Sequence, residues 1–441
     1  MRSLRSLFLA GLAASVLCPA AHATNGMNMI AYDAVSAGMG GADAAVETGC
    51  TAVAANPANL STLCKSSLVV NLSLLAPKIG FANTSMSGAN DLDGKSQIFP
   101  LPFLGYANRV GESGLAWGLG LFAQGGMGVD LRDVHTNFGT SDRIYSNVRY
   151  MRLAPTLSYA VTEKLALGAT VHAGYSDIAY KFFPKTSYYS PGQDDTPGTA
   201  DDMAFPGQAL KGARSLGVAF RAGARYEVTP KLSFGGTYTS KSTLDYKNGD
   251  LDMNFTAMGL GPVRYDASVD GFDWPAAVEG GVAVKLLENT LTIAGDAQWI
   301  NWSDALKTVT VKGDSPDNPN AAPSVQIPFI FNWDDQMVYA AGAAWAFSER
   351  DIVRAGYNFA SNPIPDDCVY PLFPATTESH ATVGYGRSFN RVLVDLAYEH
   401  AFESKATNSN TNQMENPFGP GDRITHAQNT LHVAVTYKLQ D

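Results

Sequence analysis

Seven ionisable residues from position 221 onward share one face of alternating segments: Arg221, Arg225, Glu279, Asp296, Arg354, Asp395 and Glu399. Charges of both signs on one strand face suit two kinds of chemistry. They pair with each other, because a buried charge needs a partner, or an Arg fork holds a carboxylate ligand. The spacing leaves both open. Covalent chemistry finds no support. There is no G-x-S-x-G motif, and the seven His are scattered, so no nucleophile and base come together and no catalytic residue is expected. The loop GQDDTPGTADD (192–202) gathers Asp194, Asp195, Asp201 and Asp202. Oxygen-rich loops bind Ca²⁺, but this one lacks the spacing of a known calcium loop, and a solvated surface is the plainer reading. Neither a metal nor a cofactor is expected.

Those charges sit on strands. Leu216, Val218, Phe220, Ala222, Ala224 and Tyr226 alternate with Ser215, Gly217, Ala219, Arg221, Gly223 and Arg225. Leu431, Val433, Val435, Tyr437 and Leu439 alternate with His432, Ala434, Thr436 and Lys438. Successive strand side chains point to opposite faces, so each segment has an apolar face and a polar or small one. Fourteen such segments are predicted between residues 67 and 439. Their joints alternate in length. Short turns at 111–113, 162–163, 229–230, 287–289, 348–350 and 389–390 are interleaved with long polar stretches at 83–95, 125–145, 184–211, 248–267, 304–330, 362–375 and 404–424. In an up-and-down meander all short joints lie at one end and all long ones at the other. An even strand number with that asymmetry is the pattern of an outer-membrane barrel. The fold expected is therefore all-β: a 14-stranded antiparallel transmembrane β-barrel over 67–441. Trp299, Trp302, Trp333, Trp345, Tyr339 and Phe347 fall toward strand ends and are expected in interfacial girdles.

The ends of the chain set the compartment. Residues 1–23 have a basic start (Arg2, Arg5), an apolar run and an Ala-His-Ala end, which reads as a secretory signal peptide. Removing those two Arg from 31 basic residues leaves 29 against 41 acidic ones, a net charge of −12, so nucleic acid is a poor partner. Three cysteines remain. Cys50 and Cys64 are the candidate disulfide of an oxidising compartment, leaving Cys368 over. Residues 24–66 are small, flexible and non-alternating. Asn56 is placed to cap a short helix with Pro57 in its first turn. A barrel this wide leaves a lumen, and this segment is expected to plug it.

The run AYDAVSAGMGGADAAVETGCTAVAANPANLSTL (31–63) resembles the N-terminal hatch of the FadL/TodX family of outer-membrane hydrophobic-compound transporters, with Asn56, Pro57 and Ala58 matching its Asn-Pro-Ala triplet. WPAAVEGGVAVKLLENTLTIAGDAQWINWSDAL (274–306) and NWDDQMVYAAGAAWAFSERDIVRAGYNFASNPIPDD (332–367) are similar to later stretches of that family. The chain ends TYKLQD rather than in the family's usual terminal aromatic residue, so Tyr437 or Leu439 must serve. The resemblance implies diffusion of a long-chain fatty acid or an aromatic hydrocarbon through a monomeric barrel embedded in outer-membrane lipid and lipopolysaccharide. It also implies a kinked third strand that opens the wall. Gly118, Gly120, Gly125 and Gly126 are the candidates for that kink, since Gly permits bends and bulges; a tight outer turn at Gly125–Gly126 is the alternative.

Apolar residues in the long loops are the candidate ligand groove: Phe182, Phe183, Tyr188, Tyr189, Met253, Phe255, Met258 and Leu260. Loop-on-loop packing is the competing reading. Three other functions compete with hydrophobe import. A porin for polar solutes would leave its lumen open. An outer-membrane esterase would need the missing nucleophile and base. An adhesin would not need a plug.

Overall fold

The computed structural model describes residues 25–62, 66–83, 88–195, 202–412, 416, 418 and 420–439. The signal-peptide expectation, Cys64 and most of the acidic loop (196–201) lie outside these residues. Nineteen strands occur among those described. They are β1 (Ser67–Asn83), β2 (Asn90–Asp93), β3 (Phe99–Arg109), β4 (Leu115–His135), β5 (Ser141–Ala160), β6 (Leu165–Ser190), β7 (Met203–Thr229), β8 (Leu232–Thr239), β9 (Tyr246–Phe255) and β10 (Gly261–Asp270). They continue as β11 (Ala277–Leu286), β12 (Leu291–Ile300), β13 (Thr308–Asp314), β14 (Ser324–Ile330), β15 (Gln336–Ala346), β16 (Asp351–Ala360), β17 (Ser379–Phe389), β18 (Val392–Thr407) and β19 (Arg423–Lys438).

Fourteen of them close a cylinder. Each pairs antiparallel with the next, in the order β1, β3 to β8, β11, β12 and β15 to β19, and β19 returns to β1 with Ser67 opposite Lys438. Closure gives every wall strand a partner on both sides over most of its length, as hydrocarbon demands. The alternation is inverted relative to a soluble protein. Leu216, Val218 and Phe220 are exposed at 81%, 57% and 60%, while Ala219 and Arg221 between and beside them are buried. Apolar side chains face lipid, and polar or small ones face the lumen.

Several expected loops are sheet. The stretch 125–145 is mostly the outward continuation of β4 and β5, and β6 and β7 likewise run on to Ser190 and Met203. Above the membrane both faces of a strand are free to be polar, so VDLRDVH carries no alternating signal although it remains paired. Conversely, the segments expected as single strands over 231–247 and 268–286 are broken. β8 ends at Thr239, and Ser242 and Trp274 exchange backbone hydrogen bonds of 2.9 and 3.0 Å as the chain bends inward. The separated parts, β9 and β10, form an outer hairpin that pairs on to β7 and β13.

The aromatic-girdle expectation holds for the exposed Tyr339, Trp345 and Phe347 but not for Trp302 or Trp333. Those two are buried with Trp274, at ring-centroid distances of 6.0 Å (Trp274–Trp302) and 5.1 Å (Trp302–Trp333). They sit where wall strands end and the chain turns over the lumen, so their positions near strand termini point them inward.

Candidate functional site

Residues 25–62, the expected plug, pack against inward-facing residues of the wall. They contain one short helix, α1 (Ala34–Gly38), capped by Asp33, whose side chain accepts from Ser36 N at 2.8 Å, and two 3₁₀ turns, Gly49–Val53 and Pro57–Thr62. Burial lifts the Asp33 carboxyl to about 6. The triplet of Asn56, Pro57 and Ala58 is a junction. Asn56 Nδ2 donates to Ala44 O (2.8 Å) and to Ala224 O of the wall (3.0 Å), while its Oδ1 accepts from Ala58 N at 3.0 Å and so caps the second 3₁₀ turn. Small wall residues make this approach possible. A Cβ on Gly356 would lie 2.3 Å from Gly40 N, and one on Gly235 would lie 1.9 Å from Ala44 O.

The seven lumen charges are separated into distinct contacts rather than gathered at one ligand. Arg221 donates to the plug carbonyls of Ala54 and, at 2.7 Å, Ala55, and through Nε to Thr239 Oγ1. Asp296 Oδ2 accepts from the backbone N–H of Asp43 (2.7 Å) and of Ala44 (2.9 Å). Glu279 accepts from Thr237 at 3.2 Å. Arg225 bridges Glu47 of the plug (3.4 Å) and Glu227 (3.3 Å). Arg354 pairs with Asp395 at 2.8 Å, and Glu399 with His432 Nε2 at 3.2 Å. Burial, reinforced by Glu279 and Asp296 beside it, holds the Asp43 carboxyl well above the usual range. Cys50 is a buried free thiol against Ser67, with Sγ 3.0 Å from Ser67 O and 2.7 Å from its Oγ. Its expected disulfide partner, Cys64, is outside the described residues.

Between β3 and β4 the wall is interrupted. β3 and β4 pair only from Arg109–Ala116 to Phe103–Phe122, although β3 starts at Phe99 and β4 runs on to His135. Gln124 is an extra residue between the pairs Ala123–Met151 and Gly125–Tyr150, so a bulge turns β4 away from β3. The start of the plug enters the space. Asn28 bridges Gly125, Gly126 N donates to Met27 O at 3.1 Å, and Gln124 Nε2 donates to Asn28 Oδ1 (2.8 Å) and Tyr32 Oη (2.6 Å). Met29, Leu75, Phe99, Leu101 and Ala123 form an apolar cluster at this gap. Among the four candidate glycines, Gly125 and Gly126 flank the bulge. Gly118 and Gly120 keep regular pairing and make room for Val53 of the plug, which a Cβ would approach to 2.8 and 2.5 Å.

The outer apolar residues come together. Phe182 and Phe183 are buried and stacked at 4.6 Å, Phe418 lies 5.9 and 5.5 Å from them, and Met253 joins the same core with Phe255 and Leu260 against its edge. Tyr188 packs on Phe138 at 5.0 Å. Tyr189 donates to Asp202 at 2.8 Å, which ties down one of the four acidic-loop residues. Met258 lies in the 3₁₀ turn Thr256–Met258. At the short-turn end, a cavity of about 650 Å³ separates the plug from β18, β19 and β1, with Asp33, Glu47, Arg354, Arg391, Asp395 and Lys438 in its lining.

Known proteins share this fold. The sequence model of the family described as outer membrane protein transport protein (OMPP1/FadL/TodX) matches residues 16–439. The chain belongs to the FadL/TodX family. Among solved structures, it is similar to the Pseudomonas putida toluene transporter TodX (20% identity, TM-score 0.74, covering 94% of this chain and 100% of that one). It is also similar to the Ralstonia pickettii toluene transporter TbuX (21%, TM-score 0.69, 93% and 99%) and to a Pseudomonas aeruginosa FadL homologue (17%, TM-score 0.74, 94% and 100%). No match was found among curated protein sequences. This FadL/TodX-family member is an outer-membrane barrel that transports hydrophobic compounds, and it is not an enzyme.

Sequence reasoning passed over Met27, Asn28 and Met29, the residues that fill the wall gap, and Trp274, whose Nε1 donates to Asn28 Oδ1 at 2.8 Å. It also passed over Asp43. Asp43 and its wall partner Asp296 are 253 positions apart, and no local pattern joins them. The one available signal for Gln124 was its place before Gly125–Gly126 in a strand otherwise alternating.

Proposed function

We propose that this protein admits a neutral hydrophobic compound of monoaromatic size, which leaves sideways into the membrane through the gap between β3 and β4. The carrying observation is that gap: wall backbone that β3 leaves unpaired, bridged by Met27–Met29 at Gly125–Gly126 and by the Lys95 N–H to Asp130 O farther out, with an apolar lining of Leu75, Phe99, Leu101 and Ala123. Apolar cargo gains about 25 cal/mol per Å² of surface removed from water, so a continuous greasy route needs no nucleotide. Cargo would first enter the outer aromatic core around Phe182, Phe183 and Phe418 as the loops part. Residues 25–62 act as the hatch, and displacement of 25–29 from β4 opens the wall.

The state of Arg221, Arg225 and Arg354 favours a neutral cargo over a fatty acid, and Arg152, buried with its Nε unpartnered, is a further lumen fork that a carboxylate could still engage. Arg221, Arg225 and Arg354 are each engaged by the plug or by a carboxylate, which leaves none of these three forks for a head group. TodX and TbuX are described as toluene transporters. The working unit is one barrel in lipid and lipopolysaccharide. The test is uptake of radiolabelled toluene and oleate by cells expressing this chain in place of their own transporters. Saturable toluene uptake that oleate does not compete away is expected. Uptake of oleate alone would contradict the cargo assignment.

A further inference from the structure

A small cavity of about 70 Å³ lies between the plug and the wall, with Asp43 from the plug, Glu279 of β11 and Asp296 of β12 in its lining. These three carboxylates can each offer an oxygen within 4.8 Å of the others. None of the three is in an ion pair among the described residues. Arg221 also borders the cavity, but its donors go to Ala54, Ala55 and Thr239.

A second observation includes oxygens outside the carboxylate cluster. Several buried oxygens around this cavity have no donor. Asp296 is 8% exposed and directs Oδ2 to the plug backbone, yet its Oδ1 is unpartnered. Gln124 Oε1 and Asn358 Oδ1, at 4% and 2% residue exposure, are unpartnered too. Their amide nitrogens already donate, to Asn28 and Tyr32 in one case and to Gly40 O at 3.0 Å in the other, so both oxygens are fixed as acceptors. One donor, Arg152 Nε, is likewise without a partner. Arg152 and Arg221 line the cavity too, but its three carboxylates outnumber these two guanidinium groups, and apart from Arg152 Nε the lining atoms left without a partner are oxygens. Those oxygens are the donor set of a hard divalent cation, which takes six to eight oxygens and fills missing positions with water. A water needs roughly 10–15 Å³ of such space, so the cavity has room for an ion with several waters.

We propose that Asp43, Glu279 and Asp296 bind a divalent cation, Ca²⁺ by preference, that ties the plug to the barrel wall. Asp43 belongs to the plug, whereas Glu279 and Asp296 belong to adjacent wall strands, so the ion bridges two parts otherwise joined there by the Asp296 hydrogen bonds. Its consequence for gating rests on the hatch reading above; the binding itself does not.

The test is isothermal titration of CaCl₂, with MgCl₂ alongside, into the chelator-treated full-length mature protein in detergent. One saturable Ca²⁺ site is expected. Its affinity falls at least tenfold in Glu279→Gln and in Asp296→Asn, and is unchanged in Asp194→Asn/Asp195→Asn of the outer acidic loop. Heat-modifiable mobility on gels shows that each variant forms its barrel. Glu279→Gln keeps the Asp296 bonds to the plug and separates ion binding from plug seating. Ca²⁺ should also slow hydrogen exchange at residues 39–46 in the wild type only. No saturable binding, or binding that survives Glu279→Gln, overturns the site. Toluene uptake by the same variants keeps the two readings apart. Absent Ca²⁺ binding with uptake intact removes the site alone, and intact binding without uptake removes the cargo assignment alone.

Discussion

Two ways out of the lumen differ in chemistry. The gap beside β4 is lined by Met29, Leu75, Phe99, Leu101 and Ala123, whereas the cavity at the short-turn end carries Asp33, Glu47, Arg354, Arg391, Asp395 and Lys438. A hydrocarbon crossing the second would have to displace water from charged groups. The greasy opening is the better path because solvation sets the barrier for apolar cargo. Residues 25–62 border both: backbone pairing joins them to Gly125–Gly126 at the gap, whereas at the cavity below the Arg354–Asp395 pair lies within the wall itself.

This contrast can be broken most severely by removing the plug. Deleting residues 24–60 should raise single-channel ion conductance in planar bilayers at least tenfold, because a fourteen-strand lumen is wide enough for water. An unchanged conductance would mean that the plug does not occlude the bore. Placing a charge in each route separates them. Met29→Asp should lower toluene uptake at least tenfold, since an unpaired carboxylate in an apolar passage costs several kcal/mol to desolvate. Leu393→Asp, in the already charged cavity, should change uptake by less than twofold. Equal losses would erase the distinction.

A milder perturbation tests how the plug is seated. Asn56→Ala removes the donors to Ala44 O and Ala224 O and the acceptor for Ala58 N, so the plug should lose about 2–4 kcal/mol of local stability. Faster hydrogen exchange across 44–62, with barrel exchange unaltered, is the expected readout.

The smallest effect is a pH dependence at the outer end. Burial raises the Asp422 carboxyl to about 7, against the opposing effect of its Asn83 hydrogen bond. A carboxyl raised on folding binds its proton more tightly in the native state. The cap around Phe418 therefore gains stability as pH falls through about 7 toward the unfolded value, and loses it above 7. Between pH 8 and pH 6 the protection factor of 416–422 should rise roughly tenfold, and Asp422→Asn should abolish the change.

Much of the wall was legible because lipid enforces it. Leu216, Val218 and Phe220 against Ala219 and Arg221 form a period that only a strand between hydrocarbon and a polar interior maintains. Outside the membrane that constraint lapses, and so the outward parts of β4 and β5 looked like loops. Trp302 and Trp333 misled for a related reason, since a strand-end position does not say whether the chain then turns outward or over the lumen. Asn56, Pro57 and Ala58 were legible through family resemblance and have a physical role as a junction. The contacts of Met27–Met29 with Gln124–Gly126, and of Asp43 with Asp296, come from register and long-range closure, which no stretch of sequence contains.

The lateral route is tested most directly by deleting Gln124. Every other β4–β5 pair near the bulge keeps its register in that variant, so Gly125 still faces Tyr150 and the barrel should assemble. The straightened strand would pair with Phe99–Pro102 and close the gap. Toluene uptake should fall at least tenfold while heat-modifiable mobility stays that of the wild type. Wild-type uptake through a barrel shown to be sealed between β3 and β4 would contradict the account.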